Sequence, residues 1–264
     1  MNDNVWILIA QLIVVILAIY MGTRTSGIGL GVWGLVGVAV LIFVFGEAPG
    51  NAPVDAVFIV ITVITAASTM QAAGGIDWMV SVAAKVIRRK PKSVVFLAPA
   101  MSFLFTVGAG TGNIFYPLLP VIYDVSYQQK IRPERALSVS AVASQVGILC
   151  SPVSAATASM VVLLAPQGVD LGGLLLIMWP ASIAGLFVAA LVMMRHGKDL
   201  EDDPEFQRRL ESHQIKPPVV DAHDTKLPRT AVLSAALFLI GVGVIVLFGL
   251  FEGLRPVIGT EDAG

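Results

Sequence analysis

SVVFLAPAMSFLFTVGAGTGNIFYPLLPVIYDV, residues 93–125, is the stretch on which the fold turns. Two apolar arms, 93–107 and 114–125, flank a glycine-rich centre, Gly108-Ala109-Gly110-Thr111-Gly112-Asn113. Each arm is shorter than the roughly 20 apolar residues that a transmembrane helix needs. Basic residues stand at both ends: Lys85, Arg88, Arg89, Lys90 and Lys92 before it, Lys130, Arg132 and Arg135 after it. Basic loops stay in the cytoplasm, so the segment is expected to enter the membrane and return to the side it left, as a re-entrant hairpin. Irregular backbone at membrane depth survives where it is buried in protein or lines a polar cavity, as in transporters and channels. A second arrangement, with each arm a complete thin span, gives the same sidedness.

Composition agrees with a membrane setting. The chain is 56% hydrophobic and 13% charged, with a mean hydropathy of +0.83, against about 25% charged residues in soluble domains. The formal net charge of −1 makes no case for nucleic acid, because the charges are segregated by loop. One cysteine, Cys150, excludes an intrachain disulfide or a cysteine-based metal cluster, and suits a small buried residue. The first apolar run, 5–20, lacks a basic leader and a cleavage site, which reads as a retained helix. His196, His213 and His223 share one polar stretch without metal-ligand spacing, so neither a metal nor a cofactor is expected. No phosphate-binding loop, nucleophile elbow or HExxH pattern is present, which argues against an enzyme or an ATP-driven pump.

Working outward from the hairpin, apolar spans are expected at 5–21, 28–45, 54–73, 174–194 and 230–250. The second is rich in glycine (Gly29, Gly31, Gly34, Gly37), which permits close helix packing. Residues 76–87 carry Ile76, Met79, Val80, Ala83, Val86 and Ile87 at helical spacing, the pattern of an amphipathic helix at the membrane surface. Residues 136–165 are apolar but interrupted at Ser151-Pro152-Val153-Ser154, a broken helix. The chain thus divides into membrane helices 1–194, a polar cytoplasmic linker 195–229, and a last span with its tail, 230–264. With the N-terminus periplasmic, every one of the 17 basic residues except Arg255 falls inside.

The two breaks carry the chemistry. Glycines at 110 and 112 let backbone groups approach a ligand, and Thr111 and Asn113 add neutral donors and acceptors. The N-terminus of the second arm favours a carboxylate, and the carbonyls ending the first arm favour a cation such as Na+ or H+. At the second break Pro152 opens the helix, and Ser144, Gln145, Ser151, Ser154 and Thr157 supply hydroxyls and an amide beside Val153. The candidate substrate site is therefore Gly110, Thr111, Gly112, Asn113, Ser144, Gln145, Ser151, Pro152, Val153, Ser154 and Thr157. The competing readings are a tight packing turn at the first break and a proline kink with back-bonded serines at the second. Asp77 and Asp124 suit interfacial charges rather than proton carriers, and Tyr116 and Tyr123 suit packing or belt residues rather than ligands; Gln71, at the end of the third span, suits either a cavity wall or a cap.

A family resemblance rests on these motifs in order: Asn51-Ala52-Pro53-Val54-Asp55, Gln71-Ala72-Ala73-Gly74-Gly75-Ile76-Asp77, Arg88-Arg89-Lys90-Pro91-Lys92, Gly110-Thr111-Gly112-Asn113, Leu119-Pro120-Val121-Ile122, Ile131-Arg132-Pro133-Glu134-Arg135, Ser151-Pro152-Val153-Ser154-Ala155-Ala156, and Gly197-Lys198-Asp199-Leu200 with Asp203-Pro204-Glu205-Phe206. Over nearly the whole chain the sequence resembles the Dcu-type anaerobic C4-dicarboxylate transporters. The resemblance implies a secondary transporter of the bacterial inner membrane for fumarate, succinate, malate and aspartate, acting by exchange or by cation-coupled uptake. It implies an all-α polytopic protein of the inverted-repeat, ion-transporter type, of which this chain supplies the N-terminal half with its re-entrant hairpin and broken helix. Family members are considerably longer, so the chain is expected to be a truncated or split product. Its half-built site would be completed by a complementary C-terminal half or, less readily, by a homo-oligomer, whose chains are parallel rather than inverted. The alternative is a non-transporting membrane subunit.

Overall fold

The computed structural model describes residues 3–25, 28–48, 54–212 and 228–254. The motif residues Asn51, Ala52 and Pro53, the linker stretch 213–227 with His213 and His223, and the tail 255–264 lie outside the described residues. All regular structure among the described residues is helical, as an all-α polytopic membrane protein requires. Among the described residues, four helices are long and apolar enough to cross a membrane: Val5–Arg24, Pro91–Ala109, Leu171–Met194 and Arg229–Leu250. A fifth crossing is available from Val57–Ala72 and Gly75–Arg89, which meet at a 70° bend.

The chain forms two compact units, Met1–Pro53 and Val54–Gly264. In the first, helices α1 (Asp3–Arg24) and α2 (Gly29–Phe43) pair. Large apolar side chains such as Trp6, Leu8 and Leu35 point outward, which suits a lipid solvent. Of the four glycines of α2, only Gly37 receives α1: a Cβ there would lie 3.0 Å from that of Ala18, while Gly31 and Gly34 meet nothing within 4 Å.

The second unit holds α3 (Val54–Ala72), α4 (Gly75–Arg89), α5 (Val94–Ala109), α6 (Phe115–Gln128), α7 (Pro133–Leu149), α8 (Ala155–Leu164), α9 (Leu171–Met194), α10 (Pro204–Glu211) and α11 (Arg229–Leu250). Gly74, at φ 81, makes the left-handed turn between α3 and α4. The apolar stripe of α4 is present as read from the sequence, but protein covers it. Ile76, Met79, Ala83 and Ile87 are buried in one core with Val94, Leu118, Ile122 and Ala235, where α4 packs on α5, α6 and α11.

Residues 93–125 form a helix–break–helix hairpin. Arg88, at the end of α4 and just before α5, lies 4.0 Å from Asp124 near the end of α6, and Val94 and Val95 share a core with Ile122 and Val125. The two arms therefore return to a common base. The 3-10 turn Pro91–Ser93 extends the first arm to 19 residues, long enough to cross, whereas α6 keeps 14. α7 runs alongside α5 in the same direction, with Ala136 in the base core and Ser144 against Thr106 near the tip.

α9 and α11 cross at a glycine pair. A Cβ on Gly172 would stand 2.5 Å from the carbonyl oxygen of Gly249, whereas one on Gly185 meets nothing within 4 Å. Gly172→Ala is therefore expected to lower stability by about 1–3 kcal/mol through overpacking, and Gly185→Ala to leave it unchanged. Thermal midpoints in detergent compare the two.

The sequence reading treats 195–229 as a solvated linker. Residues 195–212 of it are mostly exposed, and they form a strap docked on the base of the hairpin. Arg135, only 8% exposed, donates to the carbonyls of His196 (2.7 Å) and Gly197 (2.8 Å) and to Asp199 Oδ1 (2.8 Å). Arg132 reaches Asp203 at 3.1 Å, Lys130 pairs with Glu201, and the Leu200 N–H donates to the Lys130 carbonyl. Tyr127 packs edge-on against Phe206. Asp203 Oδ1 also caps α10, accepting from the N–H groups of Glu205 and Phe206. Within α10, hydrogen bonding from Arg209, with Arg208 alongside, holds the Glu205 carboxyl below its ordinary range.

Candidate functional site

The hairpin tip is built by two residues of opposite conformation. Gly110 ends α5 in the left-handed region at φ 70, its N–H bonded to the Thr106 carbonyl at 2.9 Å. Thr111 is extended and its Oγ1 accepts from the Asn113 N–H at 3.3 Å, starting the 3-10 turn Gly112–Ile114 that leads into α6.

The second break is stitched by its own hydroxyls. Thr157 Oγ1 donates across the gap to the Leu149 carbonyl at 2.9 Å. That uses its one proton, so at their 3.0 Å contact Ser154 donates to Thr157. Ser154 Oγ also accepts the Thr157 N–H at 3.1 Å as the cap of α8. Ser151 Oγ accepts the Val153 N–H at 3.3 Å. Trp179 of α9 donates to the Cys150 carbonyl at 2.9 Å. The carbonyls freed where α7 stops around Pro152 thus find partners inside the protein.

The two breaks meet. A Cβ on Gly110 would lie 3.0 Å from the Val153 carbonyl oxygen, and one on Gly112 would lie 3.1 Å from Ser144 Oγ and 3.5 Å from Gln145 Nε2. Ser144 Oγ donates to the Gly112 carbonyl at 3.4 Å and receives Thr106 Oγ1 at 3.4 Å. Two helix C-termini (α5, α7) and two N-termini (the turn into α6, and α8) therefore converge, placing partial negative and partial positive ends side by side.

The candidate residues divide by exposure. Ser144, Ser151, Pro152, Val153, Ser154 and Thr157 are buried; Thr111 and Gly112 are half-buried; Asn113 and Gln145 are exposed. Ser151, Ser154 and Thr157 hold the break together, and the amides of Asn113 and Gln145 form the open polar face. Among the described residues nothing gathers into a metal-binding group. Asp124 lies at the hairpin base beside Arg88, away from the tip. Thr106, Gly147 and Trp179 escape the sequence reading. The first two have a signal in their small-residue helical spacing; Trp179 has none. The hollow in the first unit, about 170 Å³, is lined by apolar residues and glycine such as Val15, Leu30, Gly34 and Val38, and offers no comparable polar groups.

Residues 7–263 match the family described as anaerobic C4-dicarboxylate membrane transporter, DcuA_DcuB. The chain is 37% identical over 260 residues to the anaerobic C4-dicarboxylate transporter DcuB of Shigella flexneri, covering 95% of this chain and 58% of that protein. It is 37% identical over 263 residues to the C4-dicarboxylate transporter DcuA of Escherichia coli (97% and 60%), and 38% identical over 238 residues to DcuA of Helicobacter pylori (90% and 54%). The chain thus spans 54–60% of the length of these curated relatives. No solved structure matches it.

Proposed function

Because the chain belongs to the DcuA_DcuB family of membrane transporters and is not an enzyme, we propose that it serves secondary transport of C4-dicarboxylates, fumarate, succinate, malate and aspartate, across the bacterial inner membrane. The relatives named above are themselves C4-dicarboxylate transporters. The observation that carries the reading to particular residues is the meeting of the two breaks beneath the exposed amides of Asn113 and Gln145. In this reading the N-terminal ends at the turn into α6 and at α8, with both amides, receive one substrate carboxylate. The carbonyl end of α5 receives a coupled Na+, or remains idle if the protein works by exchange. No lysine or arginine is among the junction residues, so one neutral junction compensates a dianion only in part. We place the remaining half-site on a complementary C-terminal half or a second copy. The sidedness proposed is that of the basic loops, with a periplasmic N-terminus.

Uptake of labelled succinate into liposomes carrying the chain, alone and with any co-purifying partner, tests this. Asn113→Ala is expected to lower uptake about tenfold with insertion intact, the loss of one hydrogen bond to a charged group. Wild-type kinetics in that variant would refute the site. A chain silent in every setting would favour the non-transporting subunit.

A further inference from the structure

α5 and α7 meet along a seam of constant register. Thr106 and Ser144 face each other 38 positions apart, and the same offset one and two turns nearer the base falls on Ser102 and Ser140 and on Ala98 and Ala136. All six are fully buried, and none exceeds threonine in size. Such i, i+4 rows of small residues let helices approach closely, but only one rung does more. Ser102 and Ser140 make no side-chain hydrogen bond. Thr106 Oγ1 donates to Ser144 Oγ, and Ser144 Oγ donates onward to the carbonyl of Gly112 in the tip.

The direction of that relay has a steric cause. A Cβ on Gly147 would stand 2.9 Å from Thr106 Cβ and 3.1 Å from its methyl carbon, so the threonine methyl is seated on Gly147. A β-branched side chain has few χ1 choices, and seating the methyl leaves the hydroxyl aimed at Ser144. A serine within a helix has an alternative partner in the carbonyl one turn back. The bond accepted from Thr106 holds Ser144 against that alternative. We infer that Thr106, which touches neither the open polar face nor the second break, is a positioning residue. Through Ser144 it fixes the hairpin tip in register with the broken helix. Its consequence for substrate rests on the dicarboxylate reading above; its structural action does not.

Hydrogen–deuterium exchange of the full chain in lipid nanodiscs, read at the amides of 110–115, separates the two. Thr106→Val keeps the methyl and loses the hydroxyl, and is expected to speed tip exchange about fivefold, with 94–102 unchanged. Thr106→Ser keeps the hydroxyl and is expected to stay within about twofold of wild type. Ser144→Ala should match Thr106→Val, and the double variant should add nothing further, because both residues act through one link. Unchanged tip exchange in Thr106→Val, or additive effects in the double variant, overturns the inference. Succinate titration of the same preparations is expected to show weakened affinity in Thr106→Val and recovery in Thr106→Ser; wild-type affinity in Thr106→Val also overturns it. A wild-type chain that binds no succinate removes the dicarboxylate reading, while the exchange data still decide the role of Thr106.

Discussion

Gly110→Val is expected to separate the two breaks and lose roughly 3 kcal/mol or more of stability, together with any succinate response. Two penalties combine at this position. The backbone sits at φ 70, a region that costs a β-branched residue more than the 1–2 kcal/mol of an ordinary L-residue. The added Cβ also stands 3.0 Å from the Val153 carbonyl oxygen and 3.1 Å from its side chain, where the tip of the hairpin meets the second break. Gly168 isolates the first penalty: it has φ 76 with nothing within 4 Å of an added Cβ. Gly168→Ala should therefore lose only about 1 kcal/mol, and Gly110→Ala clearly more. Thermal midpoints in detergent decide it. Equal losses at the two positions would mean that the contact with Val153 contributes nothing.

Arg135→Ala is expected to release the strap. The guanidinium makes three short bonds to residues 196–199 while nearly buried, and hydrogen bonds to a charged group contribute about 1.5–3 kcal/mol. Asp199 is 55% exposed, so solvent screens that part of the interaction. The larger loss comes from the two backbone carbonyls left facing the cavity of the missing side chain. Arg135→Lys should not restore the strap, since an ammonium cannot fork to three fixed acceptors. Limited trypsin digestion reads the outcome: Arg195, Lys198, Arg208 and Arg209 should become cleavable in both variants. A wild-type digestion pattern in Arg135→Ala would show that the strap is held by its other contacts.

Punctuation made the two breaks legible. Glycines at 108, 110 and 112 and Pro152 act on their own backbone, so their effect is local and readable. The meeting of the breaks is set by the α5–α7 register, a relation between residues 38 apart that no local pattern declares. The division of the candidate residues into caps and an open face is hidden for a related reason. Ser151, Ser154 and Thr157 look like ligands in sequence, but a helix stopped at Leu149 and restarted at Ala155 needs caps, and the nearest hydroxyls are taken for that. Periodicity exposed the apolar stripe of α4 without saying whether lipid or protein covers it. The docking of the strap is hidden because its charged residues are both solvated and paired, with Asp199 and Glu201 more than half exposed. Asp199, Glu201 and Asp203 in fact complement Arg135, Lys130 and Arg132, a match of sign visible only when two distant stretches are compared.

Asp203 holds two bonds with one carboxylate: Oδ1 caps α10 and Oδ2 receives Arg132. An eight-residue helix has little stability alone, so the folding of α10 and the placement of the 129–132 loop are thermodynamically linked. Linkage is reciprocal. Pulling the loop away unfolds the helix, and anything that grips α10 in its helical form tightens the base of the hairpin. A short polar helix far from the tip is thereby a reporter of, and a handle on, the piece of chain that carries the junction.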